Sequence, residues 1–184
     1  MAPISITFLW EAGKMKKLLI VVDMQKDFID GSLGTEEAIK IVPEVKKKIQ
    51  SYLAEGNEVI FTLDTHSDNY LDTQEGKKLP VKHCLKGTDG WKLHQDLEGF
   101  EGKRFEKAGF GSMDCGKYAA EGDYDSVELI GLCTDICVIS NAMLIKTLAP
   151  ELAVTIDGTC CAGVTPQSHR NALEAMKMCQ IEIL

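Results

Sequence analysis

The sequence predicts an α/β protein, a three-layer α/β/α sandwich around a mostly parallel, Rossmann-like sheet of about six strands. Three observations predict it. Short apolar runs rich in Val, Ile and Leu alternate with longer segments of helical periodicity, as strands alternate with crossover helices in a parallel sheet. The strongest run, at 18–22, has no polar alternation, which suits a strand covered on both faces. Chemistry-bearing residues collect just past the ends of the runs, where open parallel sheets bind ligands.

The elements follow in order. Residues 18–22 form the first strand. Residues 35–55 read as a helix, with Ala38, Ile39, Val42, Val45, Ile49, Tyr52 and Leu53 at helical spacing. Pro43 is expected to kink it or delay its start, and Gly56-Asn57 ends it. Residues 58–63 are the second strand. Residues 64–100 are mostly irregular, with one helical turn at 91–97, and a loop of that length in a compact domain is usually functional or disordered. A short third strand at 104–106 and a short helix at 117–121 follow. The fourth strand spans 127–130, a helix 135–148 and the fifth strand 152–156. The last helix spans 167–178, with Pro166 near its N-terminus, and 180–184 is the sixth strand.

The net charge of −8, from 20 basic and 28 acidic residues, gives no reason to expect nucleic acid or anionic lipid as a partner. Seven cysteines without regular spacing argue against a disulfide scaffold and for a reducing cytoplasm. No apolar run approaches a membrane span. Residues 1–14 lack the basic start and apolar centre of a signal peptide. They are expected to be an N-terminal extension outside the fold, with 15–184 as the single domain.

The most informative stretch is Gly131-Leu-Cys-Thr-Asp-Ile-Cys-Val138. A strand runs through a Thr-Asp turn into a helix whose first turn carries Cys137. Exposed N–H groups and the positive end of the helix dipole there favour a thiolate. If the strands are parallel, Asp23, Asp64, Lys107, Cys137 and Asp157 share one edge of the sheet. Asp23 alone suits a turn cap. Beside Cys137 it becomes a candidate base that takes the thiol proton and returns it to a leaving amine. Lys107 beside the thiolate would hold the pair charged, a role for which Lys103 and Lys117 compete. Among the other cysteines, Cys133 lies four residues before Cys137, and Cys160-Cys161 follows the fifth strand, so either could reach the site; Cys84, Cys115 and Cys179 suit structural roles. Amide N–H groups at this helix start could also form an oxyanion hole.

A second constellation lies in the long loop. Asp64-Thr-His66 sets two ligand-type side chains at i and i+2, with Glu75 and His83 following. The donor set suits Zn, Fe or Mn, but the spacing alone favours a hydrogen-bond network without metal. His94 and His169 have no evident role.

Three segments, Val22-Asp-Met-Gln-Lys-Asp-Phe28, Lys107-Ala-Gly-Phe-Gly-Ser112 and Gly131-Leu-Cys-Thr-Asp-Ile-Cys-Val138, together resemble the isochorismatase-like cysteine hydrolases over residues 16–184. The resemblance implies a catalytic triad of Asp23, Lys107 and Cys137, which settles the choice of lysine. It also implies a cis peptide joining Leu132 to Cys133 and an oxyanion hole formed by the N–H groups of Cys133 and Cys137. The Asp-x-His segment is similar to that of the nicotinamidase (pyrazinamidase) branch. That implies a divalent metal, zinc ahead of iron or manganese, on Asp64, His66 and His83, with Glu75 as the fourth ligand. Phe28 would pack on the substrate ring. One departure is the stretch Lys78-Leu-Pro-Val-Lys82, which lacks the aromatic often found before the last metal histidine, so Tyr70 or Phe110 would complete the wall. The branch implies an amidase that converts nicotinamide to nicotinate and ammonia through a thioester, acting as a dimer or tetramer. Rival readings are a carbamoyl amide or isochorismate-type substrate in the same family, and a non-enzymatic thiol redox or metal-binding protein. Dinucleotide binding fits poorly, because Gly109-Phe-Gly-Ser-Met-Asp114 lacks the third glycine and does not follow the first strand.

Overall fold

The protein is described by a computed structural model that covers residues 15–184; the expected extension at 1–14 lies outside the described residues. Strand β1 (Lys17–Val22) is followed by a single turn, α1 (Lys26–Ile29), and the long helix α2 (Glu36–Ala54). Strand β2 (Glu58–Asp64) leads into a loop that holds a 3-10 turn (Tyr70–Asp72) and α3 (Gln74–Lys78). Then come β3 (Lys103–Lys107), α4 (Met113–Glu121) and β4 (Ser126–Leu132). A π turn (Thr134–Val138) opens α5 (Ile139–Leu148), and β5 (Ala153–Ala162), α6 (Pro166–Met178) and β6 (Glu182–Ile183) complete the chain.

The six strands form one sheet in the order β3-β2-β1-β4-β5-β6, and every pairing is parallel. Leu18 to Val22 are wholly buried, because helices cover both faces: α2 lies across β1, β2, β4 and β5, while α4, α5 and α6 pack side by side on the other. Order reverses between β1 and β4, since the chain first builds outward through β2 and β3 and then returns to the far side of β1. That switch point opens a crevice at the carboxyl ends of the strands.

Several expectations are corrected. Helix α2 runs through Pro43 without interruption, and its buried face uses Ile41, whereas Ile39 and Leu53 point to solvent. Thr35 caps it by accepting the Ala38 N–H at 3.0 Å. Residues 91–97 hold turns and no helix; Leu93 bridges to Gln25 in their place. The helical turn of that loop is α3, capped by Thr73, which accepts the Gly76 N–H at 3.0 Å. Helix α4 begins four residues earlier than its apolar pattern suggested, because Ser112 caps it. Strand β5 runs to Ala162, since a bulge opposite β4 between Leu129 and Gly131 lets Gly158-Thr159 pass within the strand. Asp157 therefore sits inside β5. It pairs with Lys48 of α2 at 2.8 Å, beside Glu128, and contributes nothing to the crevice.

Candidate active site

Each strand end at the switch point delivers one functional side chain. Asp23 follows β1 directly, with φ of 47°, a left-handed conformation that Asp tolerates better than most residues. Its N–H donates to the Thr62 carbonyl at 3.2 Å, and its Oδ1 accepts the Thr62 hydroxyl at 2.7 Å. The β2–β3 register sets Asp64 directly opposite Lys107. At Gly131 the backbones of β1 and β4 come very close. Its φ is 114°, and a Cβ there would lie 2.2 Å from the Val22 carbonyl oxygen. That close approach brings the turn after β4, with the Leu132–Cys133 cis peptide and Cys137, alongside Asp23.

Lys107 is the hub. Its Nζ lies 2.7 Å from Asp23 Oδ2, 3.2 Å from Asp64 Oδ1 and 3.4 Å from Cys137 Sγ. Its competitors are elsewhere: the Lys103 ammonium lies over the rings of Phe105 and Tyr118, and Lys117 is exposed. Burial works against the Lys107 charge, but the Asp23, Cys137 and Asp64 charges outweigh it and push its pKa up. The cation is thereby favoured near neutral pH. For the thiol, burial opposes the helix start. Burial and the Asp23 carboxylate push Cys137 well above the ordinary thiol range, with Lys107 opposing. Asp23 is also raised, by burial first, against Lys107. A helix start favours thiolate only where solvent or cations dominate. Burial raises both Asp23 and Cys137, so the two acidic groups compete for the Lys107 cation and their protonation is coupled.

Asp64 links this cluster to a second one. Its Oδ1 faces Lys107, and its Oδ2 lies 2.8 Å from His66 Nε2 and 3.6 Å from His83 Nε2. The ligand atoms of Asp64, His66 and His83 all fall within 4.8 Å of one another, and Glu75 Oε1 stands 3.9 and 3.7 Å from the two imidazole nitrogens. Asp64 is pushed down: burial acts against its charge, but His66, His83 and Lys107 outweigh it. The donor set fits a divalent cation on three grounds. His66 Nε2 is buried without a hydrogen bond of good geometry. His83 Nδ1 is engaged by the Val81 carbonyl at 2.8 Å, which leaves Nε2 to face the cluster. Asp23, Asp64 and Glu75 together exceed the one ammonium available.

Of these groups, Cys137, Asp64, Glu75 and His83 line an apolar cavity of about 160 Å³, walled by Phe28, Leu33, Leu79, Phe110, Ile136 and Val164. Of the two aromatics offered for the missing wall, Phe110 lines this cavity. Tyr70 packs behind it against both imidazoles, with centroids 4.7 and 4.9 Å away. From the stretch 78–82, Leu79 lines the cavity. Neither Cys160 nor Cys161 reaches the cavity, whereas Cys133 lines it, its thiol pushed up to about 12 by burial. His94 is buried near Asp30 and Asp96, not on the surface.

Two supporting residues escaped the sequence reading. Gln25 accepts the Asp64 N–H at 2.7 Å and donates to the Asp64 and Trp91 carbonyls, so it fixes the backbone at the shared carboxylate. Asn141 donates to the Cys137 carbonyl at 2.8 Å and accepts the Ser112 N–H at 2.9 Å. It ties the nucleophile's turn to the loop after Lys107.

A thiol, a carboxylate and an ammonium gathered at the switch point of a parallel sheet define a cysteine hydrolase of the α/β class. More particularly, residues 17–184 match the Isochorismatase domain, and the chain belongs to that family. It is 27% identical to the nicotinamidase/pyrazinamidase of Mycobacterium tuberculosis, covering 91% of this chain and 98% of that protein. A crystal structure of nicotinamidase/pyrazinamidase from Bacillus subtilis superposes with a TM-score of 0.81 at 26% identity, over 92% of this chain and 99% of that one. Pyrazinamidase of Pyrococcus horikoshii in complex with zinc gives 0.78 at 27% identity, over 92% and 98%.

Proposed function

We propose that this enzyme hydrolyses nicotinamide to nicotinate and ammonia, with Asp23, Lys107 and Cys137 as its catalytic residues. The observation that carries the reading is the three-way contact of Lys107 with Asp23, Asp64 and Cys137, of which Asp64 and Cys137 line an apolar cavity walled by Phe28 and Phe110. Relatives named nicotinamidase/pyrazinamidase support it.

The ring lies between the apolar walls with its carboxamide over Cys137. As Sγ attacks the carboxamide carbon, its proton passes to Asp23. The oxyanion takes hydrogen bonds from the N–H groups of Cys133 and Cys137. Asp23 returns the proton to the departing nitrogen, and ammonia leaves. Water then attacks the thioester while Asp23 accepts its proton, and the thiol is restored as nicotinate departs. Lys107 keeps its charge throughout and stabilises Asp23 in its anionic steps. Asp64, His66 and His83, with Glu75 beside them, would hold a divalent ion, zinc first, which when bound supplies a Lewis acid for the ring nitrogen.

We further propose a reducing cytoplasm, supported by seven free cysteines, and a homo-oligomer, supported by apolar Met113 and Leu148 standing half exposed on the paired helices α4 and α5. Among the described residues no helix is long and apolar enough to cross a membrane.

The test is ammonia release from nicotinamide, pyrazinamide and carbamoyl compounds, with and without chelator, and with Cys137→Ala as control. Turnover of nicotinamide that both chelator and the substitution abolish is expected. Turnover only of an acyclic amide, indifferent to chelator, would favour the carbamoyl branch.

A further inference from the structure

Two hydrogen bonds latch the nucleophile's turn to the segment that opens α6, and the hydrolysis described above uses neither. The Asp135 carboxylate accepts the Val164 N–H at 3.1 Å. Thr134 Oγ1 lies 2.8 Å from Nδ1 of His169. Thr134 is wholly buried, so its hydroxyl has no water to turn to, and an unmet hydroxyl there would be costly.

The two partners differ in rigidity. Residues 134–138 form a π turn, in which the Cys133 carbonyl accepts the N–H groups of Ile136 and Val138 at 3.1 and 3.0 Å. Such turns are uncommon and sit at functional positions. His169 stands in the first turn of α6, which Pro166 and a Thr165–Ser168 capping box fix in place. Gly163 permits the approach, since a Cβ there would lie 2.9 Å from the backbone of His169. Burial lowers the His169 pKa; Asp135 opposes this and Arg170 adds to it. The neutral ring is thereby favoured, and Nδ1 and the Thr134 hydroxyl share one hydrogen bond whose donor is set by the imidazole tautomer.

Thr134 directly follows Cys133, and Cys137 lies in the same turn. We infer that His169, through the buried Thr134 hydroxyl, is a positioning residue that holds the turn aiming the Cys133 N–H and the Cys137 thiol at the carboxamide. The inference rests on the amidase reading, and it gives a role to a histidine for which the sequence suggested none.

The experiment measures kcat and KM for nicotinamide in the metal-loaded enzyme and in His169→Ala, Thr134→Val, the double variant, His169→Asn and Thr134→Ser. A misplaced oxyanion donor costs roughly 10-fold or more in turnover. His169→Ala and Thr134→Val should each lower kcat by about that factor with KM within roughly twofold. The double variant should lose no more than either single one, because both remove the same bond. His169→Asn places an amide near Nδ1, able to accept from or donate to the Thr134 hydroxyl, and should recover most of the loss, as should Thr134→Ser, which keeps the hydroxyl. Additive losses, an unchanged kcat, or no recovery in the two conservative variants would overturn the inference while wild-type turnover leaves the amidase reading standing. A wild-type protein that releases no ammonia from any amide removes both.

Discussion

Lys107→Met tests the electrostatic centre of the site, because it keeps the length of the side chain and removes only the charge. The ammonium is 2.7 Å from Asp23 and 3.2 Å from Asp64, and its side chain is 2% exposed. At an effective dielectric of about 20, the two attractions are about 6 and about 5 kcal/mol. Most of that offsets the desolvation of three charges, and removing one partner of such a cluster typically costs about 3–5 kcal/mol. The variant should therefore lose about 3–5 kcal/mol in urea unfolding at neutral pH. It should also lose at least roughly 100-fold in kcat, since Asp23 then keeps its proton and cannot act as the base. The pH dependence has a definite sign. Burial already raises Asp23, and Lys107 is the main influence lowering it. Without Lys107 the carboxyl titrates higher still. A raised carboxyl favours the fold as pH falls through its folded pKa, so the gap between wild type and variant should narrow on acidification. A variant within about 1 kcal/mol of wild type at neutral pH, or a gap that widens in acid, would refute the reasoning.

Two further perturbations probe what positions the site. Gly131→Ala would place a methyl 2.2 Å from the Val22 oxygen at a φ of 114°. It should cost at least about 3 kcal/mol in urea unfolding and lower kcat as Asp23 and Cys133 are driven apart; a loss under about 1 kcal/mol would mean that β1 and β4 separate freely. Away from the site, Asp157 is lowered because hydrogen bonds from Lys48 and Thr159 outweigh its burial, so its contribution is present above its unfolded pKa and lost as pH falls through the folded value. Lys48→Met should cost about 1–2 kcal/mol near neutral pH, allowing for partial exposure. The difference should shrink below about pH 4 in acid unfolding curves, and a gap independent of pH would assign the loss to packing.

The central strands and their parallel pairing were legible because β1, β2 and β4 are buried apolar runs, with Leu18 to Val22 the clearest of them. The meeting of the candidate residues was legible for a related reason: residues placed just past strand ends in a parallel sheet must meet at one edge, and Asp23, Asp64, Lys107 and Cys137 do. Asp157 broke the same rule because the end of β5 depends on a bulge against β4, a tertiary feature that leaves no mark in local composition. The helix-start argument for a thiolate at Cys137 counts N–H groups and omits burial and the Asp23 carboxylate, both of which push the thiol up. Asn141, Gln25 and the Thr134–His169 pair were beyond reach because their function is to bond segments far apart in sequence, and such bonds follow from packing.

The two constellations that appear separate in the sequence are one electrostatic unit in the fold. Asp64 gives one oxygen to Lys107 and turns the other toward His66 and His83, and Gln25 pins its backbone in that orientation. Charge changes on the imidazole side are thereby felt by the ammonium that governs the Asp23–Cys137 proton. Positive charge beside Oδ2 weakens the pull of Asp64 on Lys107 and leaves the cation to Asp23 and the thiol. Negative charge there does the reverse. The binding side of the cavity and the nucleophilic side are thus coupled through a single carboxylate, placed by one strand register, Asp64 opposite Lys107. A one-residue slip of β3 against β2 would move Lys107 to the other face and undo both clusters at once.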